Sequence, residues 1–428
     1  MTVRNAAAAL DLRVTAMGGL GDGIARLDSG EVVLIGDTLP GDRVQAVLLP
    51  RRQGVRRAEV AQLLEPSPQR VVAPCTAFGA CGGCVWQHWE LTSQRQYKLS
   101  QLQRLVSRDG IDAALVSLPA PAGQRRRVRL HLRLHDGQLQ AGMLEARSDR
   151  VAVTTQCTVL DPRLETLRQR LGPTLQGLVS QGEVFAVAAA EGVMAAISGR
   201  PQAQEGFATA AQLGERLGVA GLSLQMGRIY DQWGLPDLCL DEVEGPLAVR
   251  VDASGFCQAS AVANRAIRDE VAASLDLVGP FDAAQELYAG SGNLTGLLVA
   301  RGLTVRAVEQ DAAACQRLRR AIRQAGLDGA VEVIEADVEH ALAPPRGGRD
   351  GAEVWLLDPG RMGARLACTA AARWRPKALV YVSCALDKLA RDLQILRDGG
   401  YRVRRAALID AFGWTVHSEA VVALSLGA

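Results

Sequence analysis

Three cysteines fall within ten residues, in Pro74-Cys75 and in Cys81-Gly82-Gly83-Cys84, with His88 close behind in CVWQH. Thiolates this close on a glycine-permissive loop can converge on one metal centre. Zinc ribbons generally offer two C-x2-C knuckles, whereas this chain has one, so a fourth ligand must come from afar. Cys157, in TTQCTVL, is the candidate. Iron–sulfur clusters also accept four thiolates. Unligated cysteines in a turn are the simpler alternative, and the density of thiols argues against it.

A second set is Glu286-Leu287-Tyr288-Ala289-Gly290-Ser291-Gly292-Asn293, with Glu309 ending the following apolar run. Glycines after a first strand let the backbone approach a cofactor, and an acid ending the second strand can hold ribose hydroxyls. The spacing of Gly290, Gly292 and Gly296 is G-x-G-x-x-x-G, not the dinucleotide G-x-G-x-x-G. That favours S-adenosylmethionine over a nicotinamide dinucleotide, because no pyrophosphate then needs a helix N-terminus. Asp337 after a third strand and Asp358-Pro359 after a fourth strengthen the reading.

The third feature is Cys384, directly after the apolar run ending Tyr381-Val382-Ser383. Strand C-termini of open α/β sheets face the ligand crevice, so this thiol points toward the cofactor. A lone cysteine there is more often a small core residue. Glu419, in His417-Ser418-Glu419, begins the last strand and supplies the acid that changes those odds.

The elements that must position these residues follow from pattern. From Pro280 onward AQELYAG, LTVRAVE, VEVIEAD, EVWLLDPG and KALVYVSC read as strands with helices or loops between them. That rhythm predicts βαβ units and a doubly wound parallel sheet. YRVRRAALID and SEAVVALSL read as a closing antiparallel pair, the pattern of a Rossmann-like seven-stranded methyltransferase domain. Residues 10–65 show short strands with turn signals between them, which predicts a small OB-like β-barrel. Arg51, Arg52, Arg56 and Arg57 cluster near its end, either as a nucleic-acid surface or as a solvated loop. Pro66-Ser67-Pro68 marks a linker, and a central α+β region runs on to about residue 250. In it Arg127, Arg129, His131 and Arg133 alternate with Val128, Leu130, Leu132 and Leu134, so one face is core and the other a basic stripe. The division is 1–66, 67–250 and 251–428.

Composition bounds the rest. Hydrophobic residues are 48%, charged residues 22% and aromatics 4% of 428 residues, which excludes a disordered or collagen-like chain. Net charge is only +2, so bulk charge does not announce a nucleic-acid partner. Lys98, Lys377 and Lys388 are the only lysines; the other 45 basic residues are arginines, suited to bidentate phosphate contacts. The most apolar stretch, Val184 to Ile197, is broken by Glu191 and is too short to cross a bilayer. The start, MTVRNAAAALDLRV, lacks a convincing signal-peptide core. A cytoplasmic monomer is the expectation.

These motifs together resemble the S-adenosylmethionine-dependent RNA uracil-C5 methyltransferases, in particular the 23S ribosomal RNA enzymes with a TRAM barrel and a [4Fe–4S] cluster. The resemblance covers nearly the whole chain, and CGGCVWQH, YVSC and LARDL are its specific parts. It implies that Cys75, Cys81, Cys84 and Cys157 hold the cluster. It implies cofactor contacts from Gln258 (in GFCQAS), Tyr288, Asn293, Glu309 and Asp358, beside Gly290, Gly292 and Asp337. Cys384 matches the nucleophile and Glu419 the general base. Three positions depart: Ser260 replaces the usual asparagine, Gly360 the second proline of D-P-P-R, and Ala385-Leu386 the usual Asn-Pro.

The implied reaction has a physical logic. Uracil C5 is too poor a nucleophile to take a methyl group unaided, and thiolate addition at C6 makes it an enolate carbon. The base must be flipped out of its stack to react, and Gln258 is a plausible reader of its edge. A free thiol ionises near pH 8.5, so Cys384 needs help. The RNA partner expected is 23S ribosomal RNA; a transfer-RNA methylase and a catalytically impaired RNA-binding relative are the alternatives.

Overall fold

The computed structural model describes residues 9–202, 208–240, 242–342 and 353–427. The first residues of the N-terminal stretch discussed above lie outside them. The chain forms two compact units: Met1–Tyr97 with Leu144–Gln156 and Phe412–Val416, and Lys98–Met143 with Cys157–Ala411 and His417–Ala428.

In the first unit six strands form one sheet, in the order Leu10–Arg13, Arg43–Leu48, Arg56–Glu65, Val32–Ile35, Gly23–Arg26, Ala16–Met17. Alternation decides its inner face: Val44 and Ala46 are fully buried while Gln45 between them is exposed. Three of the four clustered arginines are engaged within the unit. Arg51 and Arg56 reach Glu31 at 2.8 and 3.1 Å, and Arg57 reaches Asp22 at 2.9 Å. A second small core joins Met17, Leu39, Trp86 and Trp89. The cysteine loop is pinned by Gly82 N–H to the Leu144 carbonyl and Ala146 N–H to the Ala80 carbonyl, both at 2.9 Å.

The second unit contains two large sheets. One has the order Ile229–Gly234, Gly221–Met226, Gly192–Pro201, Val179–Ala189, Arg127–His135, Gln138–Gly142. The apolar stretch around Glu191 is therefore a hairpin, with its alternate residues packed beneath helix Pro162–Leu175. Along Arg127–His135, Val128, Leu130 and Leu132 are buried, as the alternation predicts, but Leu134, near the strand end, is exposed. The facing arginines are partly committed: Arg129 pairs with Glu183 at 2.6 Å, and Arg127 donates to the Gly255 carbonyl at 3.0 Å.

The other sheet has eight strands in the order Val331–Glu335, Thr304–Glu309, Ala283–Leu287, Val354–Leu357, Ala378–Ser383, Glu419–Leu426, Tyr401–Ile409, Ala114–Val116. Glu419–Leu426 alone runs antiparallel to its neighbours. Both faces are buried: Leu379 and Tyr381 enter one core, and Ala378, Val380 and Val382 the other. That is why the central strands Val354–Leu357 and Ala378–Ser383 read as continuous apolar runs, while Val331–Glu335 at the edge alternates. All seven strands read from sequence are present; the eighth, three residues at the sheet edge, carries no periodic signal. Among the described residues no helix is long and apolar enough to cross a membrane.

Candidate active site

Strand order reverses beside Ala283–Leu287, the place where doubly wound sheets open a crevice at the strand C-termini. The chain leaves this strand through Tyr288 at φ +67°, then Gly290 at +58° and Gly292 at +96°. Such left-handed backbone favours glycine, and a non-glycine residue there marks a constrained turn. A Cβ on Gly290 would meet nothing within 4 Å, so the loop leaves open space on that side.

Neighbouring strands deliver the other groups. Glu309 ends Thr304–Glu309 and accepts from Gly290 N–H at 2.8 Å and Asp311 N–H at 2.7 Å. Each carboxylate oxygen retains further acceptor capacity. Asp337 caps helix Val338–Ala341, accepting from Glu339 N–H at 2.7 Å. Asp358 follows Val354–Leu357 directly, and Cys384 follows Ala378–Ser383. The antiparallel register sets Ser383 opposite Ala420, which carries Cys384 and Glu419 to the same end of adjacent strands.

The electrostatics of this end are acidic and desolvated. Burial pushes Asp358 up to about 7 and Glu419 well above the usual carboxylate range, with Asp358 adding to the latter. Glu286, buried behind them, is pushed up to about 8 by burial, while the Thr295 hydroxyl opposes by donating to it at 2.6 Å. Cys384 is pushed up to about 11, by burial first and then by Glu419 and Asp358. Arg361 opposes the shift at both Cys384 and Glu419. A thiol held protonated beside high-pKa carboxylates suits proton exchange, and buried acids suit a cationic ligand.

Gln258 and Asn293 are held from behind. The Gln258 carbonyl accepts from Arg126 Nε at 3.0 Å, and its carboxamide has no hydrogen-bond partner among the described residues. Asn293 and Asn264 exchange two side-chain hydrogen bonds, at 2.8 and 3.0 Å. Open glycine backbone, an acid at the second strand end and a buried acidic crevice fit S-adenosylmethionine, whose sulfonium carries positive charge.

The three departures have local explanations. Ser260 caps helix Ala261–Val278, its hydroxyl accepting from Ala263 N–H at 3.4 Å, a role serine and asparagine share. Gly360 is exposed, and a Cβ there would meet nothing. Ala385 occupies the N-cap of Leu386–Asp398 without a side-chain cap, and Ser383 Oγ accepts from its N–H at 3.3 Å instead.

Arg361 and Asp392 belong to the site's surroundings but carried no assignment from sequence. The only signals were their places in D-P-G-R and LARDL.

The cysteine loop has thiols of the right chemistry. Cys75, Cys81 and Cys84 form no disulfide and are partly buried, and Gly83 N–H donates to Cys81 Sγ at 3.4 Å. Burial and the neighbouring Cys75 raise the Cys81 thiol, and that hydrogen bond opposes them. His88 is buried, both ring nitrogens lack a hydrogen-bond partner among the described residues, and burial pushes it down to about 4. Cys157, also outside any disulfide, packs against the core of the second unit. Among the described residues no group of three or more His, Cys, Asp or Glu side chains is arranged to hold a metal ion.

A parallel sheet with one reversed strand, a glycine loop after the first strand and acids at the next strand ends define an S-adenosylmethionine-dependent methyltransferase. The chain is 33% identical over 437 residues to a 23S rRNA (uracil(1939)-C(5))-methyltransferase RlmD of Alkalilimnicola ehrlichii, covering 96% of this chain and 95% of that one. It is 32% identical to the protein of the same name in Halomonas elongata, over 94% of this chain and 87% of that one. It therefore belongs to the family of 23S rRNA (uracil-C5)-methyltransferases. In three dimensions it is similar to the Pyrococcus abyssi tRNA (uracil-54, C5)-methyltransferase solved with S-adenosyl-L-homocysteine, with a TM-score of 0.74 at 19% identity. That similarity covers 97% of this chain and 100% of that one. No protein-family model matches the chain.

Proposed function

We propose that this protein transfers a methyl group from S-adenosylmethionine to C5 of a uridine in 23S ribosomal RNA, with Cys384 as nucleophile and Glu419 as general base. The observation that carries the reading is the register placing these two residues together in an acidic crevice. S-adenosylmethionine supplies an electrophilic methyl group when bound. Tyr288, Gly290, Gly292, Asn293, Glu309, Asp337, Asp358 and Gln258 line its place. The Cys384 thiol gives its proton to solvent and Sγ adds to C6 of the flipped uracil; the C5=C6 π pair moves toward the C4 carbonyl oxygen, which makes C5 nucleophilic toward that methyl, with S-adenosylhomocysteine as the leaving group. Glu419 then removes the C5 proton, and the Sγ–C6 bond breaks to restore the ring. Its raised pKa matches a group that accepts a proton and later sheds it.

Two accessories support a ribosomal substrate. The six-stranded sheet of residues 10–65 is read as a TRAM-like barrel, and the Arg127–His135 strand as part of an RNA-binding face. A [4Fe–4S] cluster is assigned to the Cys75, Cys81 and Cys84 loop, with Cys157 as the thiolate that the family resemblance adds. Cytoplasmic location and a monomeric state complete the reading. Nucleoside mass spectrometry of RNA from a strain lacking the protein tests it. Loss of 5-methyluridine from 23S RNA, restored by the purified enzyme, is expected; loss from transfer RNA alone would overturn it.

A further inference from the structure

Behind the glycine loop lies a buried polar cluster that the reaction does not use directly. Asn264, 1% exposed, exchanges two hydrogen bonds with Asn293, at 2.8 and 3.0 Å. Its Nδ2 also donates to Glu242 Oε1 at 3.0 Å. The same Glu242 oxygen takes Arg126 Nη1 at 2.6 Å, with both side chains nearly fully buried. Arg126 Nε donates to the Gln258 carbonyl at 3.0 Å, and its backbone bonds to Ala259 and Ala188. Arg268 completes the cluster by donating to the Asn293 and Glu244 carbonyls.

One chain of contacts therefore joins two loops that the reading above assigns to the methyl donor, those of Asn293 and Gln258. It also reaches the strand Arg127–His135 through the residue preceding it. An asparagine carboxamide is ambivalent: either end can face a ligand unless a neighbour fixes it. Glu242 accepts only, so it fixes the Asn264 amide with Nδ2 toward it. That leaves Asn264 Oδ1 to receive Asn293 Nδ2 and determines which remaining donor and acceptor Asn293 can offer. Buried, a charged partner makes this choice costly to reverse.

We propose that Glu242 and Asn264 are positioning residues for the methyl donor, fixing the carboxamide of Asn293 directly and the Gln258 backbone through Arg126. Among the described residues Arg126 Nη2 and Glu242 Oε2 are buried without hydrogen-bond partners. The inference rests on Asn293 contacting the methyl donor, and the experiment separates the two.

Binding of S-adenosylhomocysteine to the full-length protein is measured by calorimetry for Asn264→Ala, Asn293→Ala and the double variant. Asn264→Ala should weaken binding about tenfold, the worth of one well-formed hydrogen bond, with KM for S-adenosylmethionine rising more than kcat falls. The double variant should be no weaker than Asn293→Ala, because the first residue acts through the second. Additive losses, or tight binding in Asn264→Ala beside weak binding in Asn293→Ala, would overturn the positioning role. Unchanged binding in Asn293→Ala would instead remove the underlying contact and the inference with it. Glu242→Gln, which keeps volume, provides the second variant: weakened binding is expected even if Asn264→Ala melts early, and unchanged binding overturns the proposal.

Discussion

The phenol of Tyr381 donates to the buried carboxylate of Asp392 at 2.7 Å, three residues before Cys384. The same Asp392 oxygen accepts from Ala364 N–H at 2.8 Å, and the other takes Arg391 Nε at 2.8 Å. One carboxylate on helix Leu386–Asp398 thus ties the strand that ends at Ser383 to the loop carrying Arg361. Gly363 in that loop is at φ +75°, and a Cβ there would lie 2.7 Å from Asp392 Oδ2, so only glycine permits the approach. Asp392→Ala leaves a buried hydroxyl and a buried N–H unpaired, a loss of about 1–3 kcal/mol for each. It should melt markedly earlier and methylate more slowly. Tyr381→Phe removes one bond and should lose only about 1 kcal/mol with most activity kept. Equal melting temperatures for the two variants would contradict this account.

The chemistry of the pair makes a separable prediction. Glu419→Gln should form the bond between Cys384 and the target uridine and then fail to release it, because no base removes the C5 proton. Denaturing gels should show an RNA–protein adduct accumulating in that variant. Cys384→Ala should show none and lose methylation by at least a thousandfold, while binding S-adenosylhomocysteine normally. An adduct in Cys384→Ala would assign the nucleophile elsewhere.

The pH profile follows from the raised thiol. With Cys384 near 11, its thiolate fraction grows about tenfold per unit across neutral pH. Under limiting substrate kcat/KM should therefore rise from pH 6 to 9. Arg361 favours the thiolate, so Arg361→Met should shift the rising limb to higher pH and lose most activity near neutrality. A flat profile in both proteins would mean that ionisation of this thiol does not limit the reaction.

Much of this was legible in the residues themselves. The central strands followed from runs such as KALVYVSC because both faces of the sheet are buried there, which leaves no polar alternation to mislead. Cys384 and Glu419 could be proposed separately, but their meeting depends on an antiparallel register that no local pattern encodes. The Glu242, Asn264 and Arg126 cluster was not legible at all. Its members are 138 residues apart at the extremes, and an isolated glutamate in DEVEG looks like any solvated turn acid. The arginines at 51, 56 and 57 read as a basic surface, yet Glu31 and Asp22, distant in sequence, engage all three.

Buried acids also set a stability trend. Glu286 is pushed up to about 8 by burial, with Asp358 and Glu309 adding to the shift. The folded protein therefore keeps a proton that the unfolded chain gives up near its ordinary pKa of about 4.5. Its contribution is fully present below that value and is lost as pH rises toward 8. Glu286→Gln cannot lose a proton and can still accept from Thr295. Between pH 5 and 8 the melting temperature of this variant should gain several degrees on the native protein. A difference that stays constant across this range would show that Glu286 does not titrate there in the fold.

The iron–sulfur cluster proposed for the cysteine loop is testable by metal content. Three cysteines in ten residues, none in a disulfide, lie on a loop pinned by backbone bonds to Leu144 and Ala146. Gly83 N–H already points at Cys81 Sγ, the kind of hydrogen bond that stabilises a sulfur ligand carrying negative charge. Zinc would suit the same thiols, so the metal itself must be identified. Protein purified without oxygen should be brown and hold about four irons per chain. Exposure to air should bleach it, and Cys81→Ser should lower its iron content. Cys384 lies outside this loop, so Cys384→Ala should keep both the colour and the iron. Stoichiometric zinc with negligible iron under anaerobic conditions would refute the assignment, and the cysteines would then be read as a zinc site.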